Sequence, residues 1–163
     1  MLSNDYVKAV KTIPESDYRG EAHSGALLER GVKEQELLFP LGILGFPAAR
    51  RFRLQPFRPD DGSESPFFTL NCLEQDLSFP LIAPSSIGLE YQIPLGDTVR
   101  DSLRAASAEQ LSSLLIVTLR ERVEDITVNL QGPLVINTAS LLGLQIVVES
   151  YPLRHPLLRP TAK

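Results

Sequence analysis

The chain has 163 residues, 43% of them hydrophobic, which suits one domain large enough to bury a real core. Lys and Arg number 16 against 20 Asp and Glu. The net charge of −4 does not invite phosphate backbones, and a nucleic-acid binder of this size is usually basic. A single cysteine, Cys72, excludes an internal disulfide and a Cys-rich zinc site.

No run approaches the roughly 20 apolar residues that a membrane-crossing helix needs. Met1-Leu2-Ser3-Asn4-Asp5 lacks the basic-then-apolar pattern of a secretory signal. The expected compartment is therefore the cytoplasm. Thirteen prolines and ten glycines imply many corners, and corners favour short strands over long helices.

Residues 1–34 are weakly patterned. Lys8, Lys11, Glu15, Asp17, Arg19, Glu29 and Arg30 interrupt any apolar stripe, and Gly20, Gly25 and Gly31 break helices. This segment is expected to be a mobile leader. Residues 35–158 form the expected domain, and 159–163 a short tail.

Glu36-Leu37-Leu38-Phe39 reads as a first strand. The apolar loop Pro40 to Pro47 follows, in which Leu41, Leu44 and Phe46 are expected to plug an open barrel end. The functional alternative places Phe46 in a partner-binding patch. Arg51 to Gln55 alternates, with Phe52 and Leu54 inward, and Arg50, Arg51 and Arg53 make a small basic stripe. Phe57 to Pro66 reads as a long polar connection with a turn at Pro59-Asp60-Asp61-Gly62.

Phe67 to Leu73 is another strand, and Leu77 to Pro84 is expected to return antiparallel to it around Glu74-Gln75-Asp76. Pro80 marks the return strand as edge or bulged. Leu89 to Ile93 alternates like a further strand. Asp97 or Thr98 can cap a short helix through Ala105, with Val99, Leu103 and Ala106 on one face. Ser107-Ala108-Glu109-Gln110 has capping-box spacing. Leu114 to Leu119 is a nearly unbroken apolar run, expected as a central strand covered on both faces.

Next comes Thr127-Val128-Asn129-Leu130-Gln131-Gly132-Pro133-Leu134-Val135-Ile136-Asn137. It reads as two strands meeting at a Gly-Pro corner, with Asn129 facing outward or into a polar crevice. Leu144 to Glu149 alternates as a final long strand, and the proline-rich tail from Tyr151 packs or frays. Roughly eight or nine short strands and one or two short helices define a mainly β fold. The expected form is a small, mostly antiparallel β-barrel or barrel-like sandwich, closed to hide its edges.

The sequence carries no recognisable catalytic signature. His23 and His155 lie at opposite ends of the chain without ligand spacing, so no metal is expected. No serine sits in a G-x-S-x-G elbow, Cys72 reads as a small buried hydrophobe, and no P-loop is present. No cofactor, catalytic residue or metal ligand is assigned. Candidate partner-binding residues are Phe46, Asn71, Glu74, Gln75, Asp76 and Asn129. Glu74 and Asp76 crowd a hairpin tip, where a structural turn competes with a contact to Arg or backbone N–H of another chain. Asn129 could anchor a partner's backbone.

The stretch from Thr127 to Asn137 resembles the FliW family of flagellar assembly factors. So do Phe39-Pro40-Leu41-Gly42-Ile43-Leu44-Gly45-Phe46, Phe68 to Glu74 with Phe79, and Gln145-Ile146-Val147-Val148 with Tyr151. Order and spacing agree from Leu37 to Leu158. The resemblance implies a non-enzymatic cytoplasmic binder, monomeric when free. It implies two partners, flagellin and the RNA-binding translational repressor CsrA, whose antagonism couples flagellin level to flagellin translation. This chain departs from the family pattern at Asn71, at Gln75-Asp76 and at Leu141-Leu142, so its contact surface differs. The alternative is a small-molecule-binding or hydrolytic β-barrel, which would need convergent polar groups inside.

Overall fold

The computed structural model describes residues 34–62 and 65–158. The expected leader and the expected tail of 159–163 lie outside them, apart from Glu34. Among the described residues nine strands and one short α-helix follow in order: β1 (Gln35–Leu38), β2 (Arg51–Pro56), β3 (Phe67–Cys72), β4 (Ser78–Ile82), α1 (Asp97–Ser102), β5 (Leu111–Thr118), β6 (Thr127–Val128), β7 (Leu134–Asn137), β8 (Leu142–Gln145) and β9 (His155–Pro156). β1 to β4 form an antiparallel meander, and β4 then pairs with β5, β5 with β7 and β7 with β8. A parallel contact, Leu38 beside Leu142, joins β8 back to β1. Seven strands thus close a mostly antiparallel barrel, as the corner-rich composition predicts.

The barrel is filled by side chains. Alternation sends Phe52 and Leu54 of β2, Phe68 and Leu70 of β3, and Leu114 and Ile116 of β5 into one cluster with Phe39, Phe79 and Leu134. β5 is buried along nearly its whole length because its other face is covered too. Ile93, Leu95, Val99 and Leu103, from the segment that carries α1, pack there against Leu111, Val135, Ile146 and Val148. An apolar run without alternation is the mark of such a doubly covered strand.

β6 and β7 lie along the same edge of β5, with Val128 opposite Val117 and Leu134 opposite Leu114. Residues 129–133 bulge out between them, which is the expected corner. Asn129 Oδ1 accepts the N–H groups of Gln131 and Gly132, each at 2.9 Å. A Cβ on Gly132 would come within 2.9 Å of Gln145 Nε2 and 3.1 Å of Asn129 Nδ2, so any larger residue there would have to displace these two carboxamides.

Five expectations need correction. Leu89 to Ile93 is not a strand. Leu89 packs on one apolar cluster, Ile93 on another and Tyr91 against both, so the alternation reports burial. The backbone is held otherwise: Gln92 N–H donates to Tyr151 Oη at 3.0 Å, and the Tyr91 hydroxyl donates to Leu130 O. Pro80 does not make β4 an edge, because Leu81 and Ile82 pair with β5. Cys72 N–H donates to Leu77 O. Alternation from that pair turns the backbone of Pro80 away from β3, so its missing N–H removes no β3–β4 rung.

α1 has Gly96 at its N-cap and no side-chain cap, and it ends at Ser102 because Arg104 turns to a positive φ of 53°. Ala106 is exposed. The final long strand is also displaced: β8 begins at Leu142, and β9 follows it and pairs with β6. Finally, Leu41 does not plug the barrel, being 68% exposed, whereas Leu44 is buried.

Candidate partner-binding surface

The candidate residues do not form one cluster. Glu74 sits at the β3–β4 hairpin tip and is exposed, yet its carboxylate is committed. Oε1 accepts the N–H of Arg51 at 2.8 Å and of Arg50 at 3.0 Å. Leu73 N–H also donates to Arg51 O. The tip is thereby strapped to the start of β2. These two backbone N–H groups, Arg51's first, hold the Glu74 carboxyl below the ordinary glutamate range, with the nearby guanidinium charges adding to the effect.

Because the folded value is depressed, the strap's contribution to stability is present above the ordinary glutamate pKa and is lost as pH falls through the folded value. The denaturation midpoint of Glu74→Ala should therefore lie below the parent's near neutrality and converge on it as pH falls below the ordinary glutamate range. A gap that persists unchanged in acid would show that charge plays no part in the strap.

Gln75 and Asp76 are exposed beside this fixed carboxylate. Asn71 lies on the outer face of β3, in register with Arg53 of β2 and Ser78 of β4, and its Oδ1 accepts the Ser78 hydroxyl. Phe46 is half-buried. Its ring meets Phe79 edge-on at 6.0 Å, so it helps close the barrel end.

Asn129 does not face outward. It is 5% exposed, and its carboxamide oxygen is spent on the corner. Asn129→Ala should cost about 1–3 kcal/mol in chemical denaturation, because two N–H groups lose their acceptor. Asn129→Asp, which keeps an acceptor, should cost less. Equal losses in the two variants would place the effect elsewhere.

Gln145 is a residue that sequence reasoning missed. It is 2% exposed; Oε1 accepts Leu44 N–H and Nε2 donates to Gly132 O, both at 3.0 Å. It clasps the apolar loop to the corner. Its partners lie 101 and 13 residues away, beyond any local pattern. Among the described residues no group of three or more His, Cys, Asp or Glu could hold a metal ion, and no helix is long and apolar enough to cross a membrane.

The fold is a small closed β-barrel with an apolar, filled interior, and its strapped hairpin tip and outer sheet face carry the polar groups. Its backbone superposes on a crystal structure of the flagellar assembly factor FliW with a TM-score of 0.69 at 29% identity, over 78% of this chain and 88% of that one. The family described as FliW protein matches residues 26–157, and the chain belongs to it. The flagellar assembly factor FliW of Desulfitobacterium hafniense (strain DSM 10664 / DCB-2) is 38% identical over 127 residues, 76% of this chain and 81% of that protein. The one from Exiguobacterium sp. (strain ATCC BAA-1283 / AT1b) is 35% identical over 146 residues, 88% of this chain and 92% of its own length.

Proposed function

We propose that this protein is a cytoplasmic flagellar assembly factor. In this reading it binds flagellin and antagonises a CsrA-type translational repressor, so that flagellin level sets flagellin translation. The observation that carries the reading is the family match over residues 26–157, joined to a barrel whose inside is occupied. With Phe39, Phe52, Leu54, Leu70, Phe79 and Leu81 fully buried, work on another molecule falls to the outer surface. Gln75, Asp76 and Asn71 are the candidate contacts there, with Glu74 and Phe46 holding the hairpin tip and barrel end in shape.

A ligand-holding or hydrolytic barrel gains no support from this interior. β5 alternation puts Ser112 on the inner side with Leu114 and Ile116, and its Oγ has no hydrogen-bond partner among the described residues. A lone hydroxyl without a base is not an activated nucleophile. The acidic balance of −4 favours encounter with a basic protein such as an RNA-binding repressor.

The test is co-purification of the protein with flagellin and with the CsrA-type repressor of the same organism. Retention of both at micromolar concentration and moderate salt is expected. Retention of neither overturns the reading.

A further inference from the structure

The barrel is closed unevenly. Its other neighbouring strands pair over two residues or more, but β1 and β8 meet at one position, Leu38 beside Leu142. There Leu38 N–H donates to Leu141 O at 3.0 Å. This seam hides little apolar surface, since Leu38 stays 42% exposed and Leu141 37%. At the start of β1, Gln35 Oε1 is buried with no hydrogen-bond partner. The closed barrel thus desolvates an acceptor for which it supplies no donor.

The turn that presents Leu141 is strained. Among the described non-glycine residues, Arg104 and Leu141 alone have a positive φ, 53° and 62°. A Cβ crowds the backbone in that region, and such residues persist only where their surroundings hold them. One carbonyl links the two. Leu103 O, next to Arg104, accepts Asn137 Nδ2–H and Ser140 Oγ–H, each at 2.8 Å. Asn137 is fully buried, and its Oδ1 accepts the N–H groups of Ala139 and Ser140. Its backbone O accepts Leu141 N–H at 2.9 Å. The C-terminal end of α1 therefore holds the β7–β8 turn in the left-handed bend that offers Leu141 O to β1.

We propose that this seam is a strained latch. β1 parts from the β7–β8 turn while the rest of the barrel stays folded, and the end of α1 sets how often. The opening is bounded on both sides. The next residue, Phe39, points its N–H the other way, to Arg50 O at 2.7 Å. Beyond the turn, Gln145 ties β8 to Leu44 N–H at 3.0 Å. Opening gives up one backbone bond and little burial, and it relaxes the bend at Leu141. Whatever binds the α1 segment and shifts it also shifts the latch, and by linkage the reverse holds.

The experiment is native-state hydrogen exchange on the full-length protein in low urea, read at the Leu38 and Phe39 amides. The first bond crosses the seam and the second does not. In the parent, Leu38 should exchange about a hundredfold faster than Phe39 or more. Its rate should stay flat as urea rises, while that of Phe39 climbs, because a local opening exposes little surface. Leu141→Ile keeps the apolar bulk but fits the bend worse, and should speed Leu38 about tenfold. Leu141→Gly fits it without strain and should slow Leu38 about twofold or more. Arg104→Gly lies off β1, yet should slow Leu38 about twofold as well. A Leu38 amide as slow as Phe39, or one that climbs with urea in step with it, overturns the latch, since the seam would then open only with the whole barrel. Equal Leu38 rates in the isoleucine and glycine variants also overturn it. A Leu38 rate unmoved by Arg104→Gly overturns the control by α1.

Discussion

Gly143→Ala is expected to destabilise the barrel by about 2–3 kcal/mol, and Gly143→Val to prevent stable folding. Gly143 lies on β8 opposite Ile136, between the outward Leu142 and Leu144. Its missing side chain leaves the inner space to Phe39. A Cβ there would stand 2.3 Å from Phe39 Cζ and 2.6 Å from both Cε atoms. The ring is fully buried and meets Phe52 edge-on at 5.4 Å, so moving it disturbs the centre of the core. Close packing converts one added methyl into strain that neither strand can relieve alone. A thermal shift of roughly 10 °C should accompany the alanine variant. Phe39→Leu alone should cost about 1–3 kcal/mol through lost packing, but it should recover part of the loss in Gly143→Ala. The check is a double-mutant cycle in chemical denaturant. Simple additivity within about 0.5 kcal/mol would mean that the two residues do not share the space.

This pair illustrates what a linear pattern can and cannot convey. Phe52 and Leu54 alternate with Arg51, Arg53 and Gln55, and the fold puts the first two inside. The unbroken run in β5 reads correctly as doubly covered because burial on both faces leaves no polar position to alternate with. The same logic misleads at Leu89 to Ile93. Alternation there reports which side chains are buried, not what the backbone pairs with, and the partner is a tyrosine hydroxyl 59 residues away. Asn129 misleads for a related reason. An asparagine among core residues looks like an exposed position, yet it serves backbone N–H groups two and three residues on.

The hairpin tip is legible in part. The turn at Glu74 to Asp76 is visible from its polar residues between two strands. That Glu74 binds the chain 23 and 24 residues upstream is not visible, since this depends on how the hairpin lies against the start of β2. Phe57 and Arg58 read as the start of a polar connection. That they stand beside Gln55, Thr69 and Asn71 depends on the Phe57–Phe67 hydrogen bond and on the β2–β3 register, both tertiary facts.

Gln145 supports the second large effect. Gln145→Leu keeps the size of the side chain but leaves Leu44 N–H and Gly132 O buried without partners. Each such group costs about 1–3 kcal/mol, so a loss of about 3 kcal/mol or more is expected, against a total stability of the order of 5–15 kcal/mol. Gln145→Glu separates the two bonds by pH. A carboxylate can still accept from Leu44 but faces the Gly132 carbonyl oxygen with nothing to donate. Once protonated, it can donate to that oxygen and restore the clasp. Burial and the facing carbonyl raise the folded pKa of the introduced acid above its unfolded value. Its stabilising share is therefore complete below the unfolded pKa and disappears as pH rises through the folded one. Relative to the parent, the glutamate variant should gain stability on acidification from about pH 7 to about pH 5, while the leucine variant should keep a constant deficit. A glutamate variant that tracks the leucine one at every pH would mean that the bond to Gly132 does not hold the corner to the apolar loop.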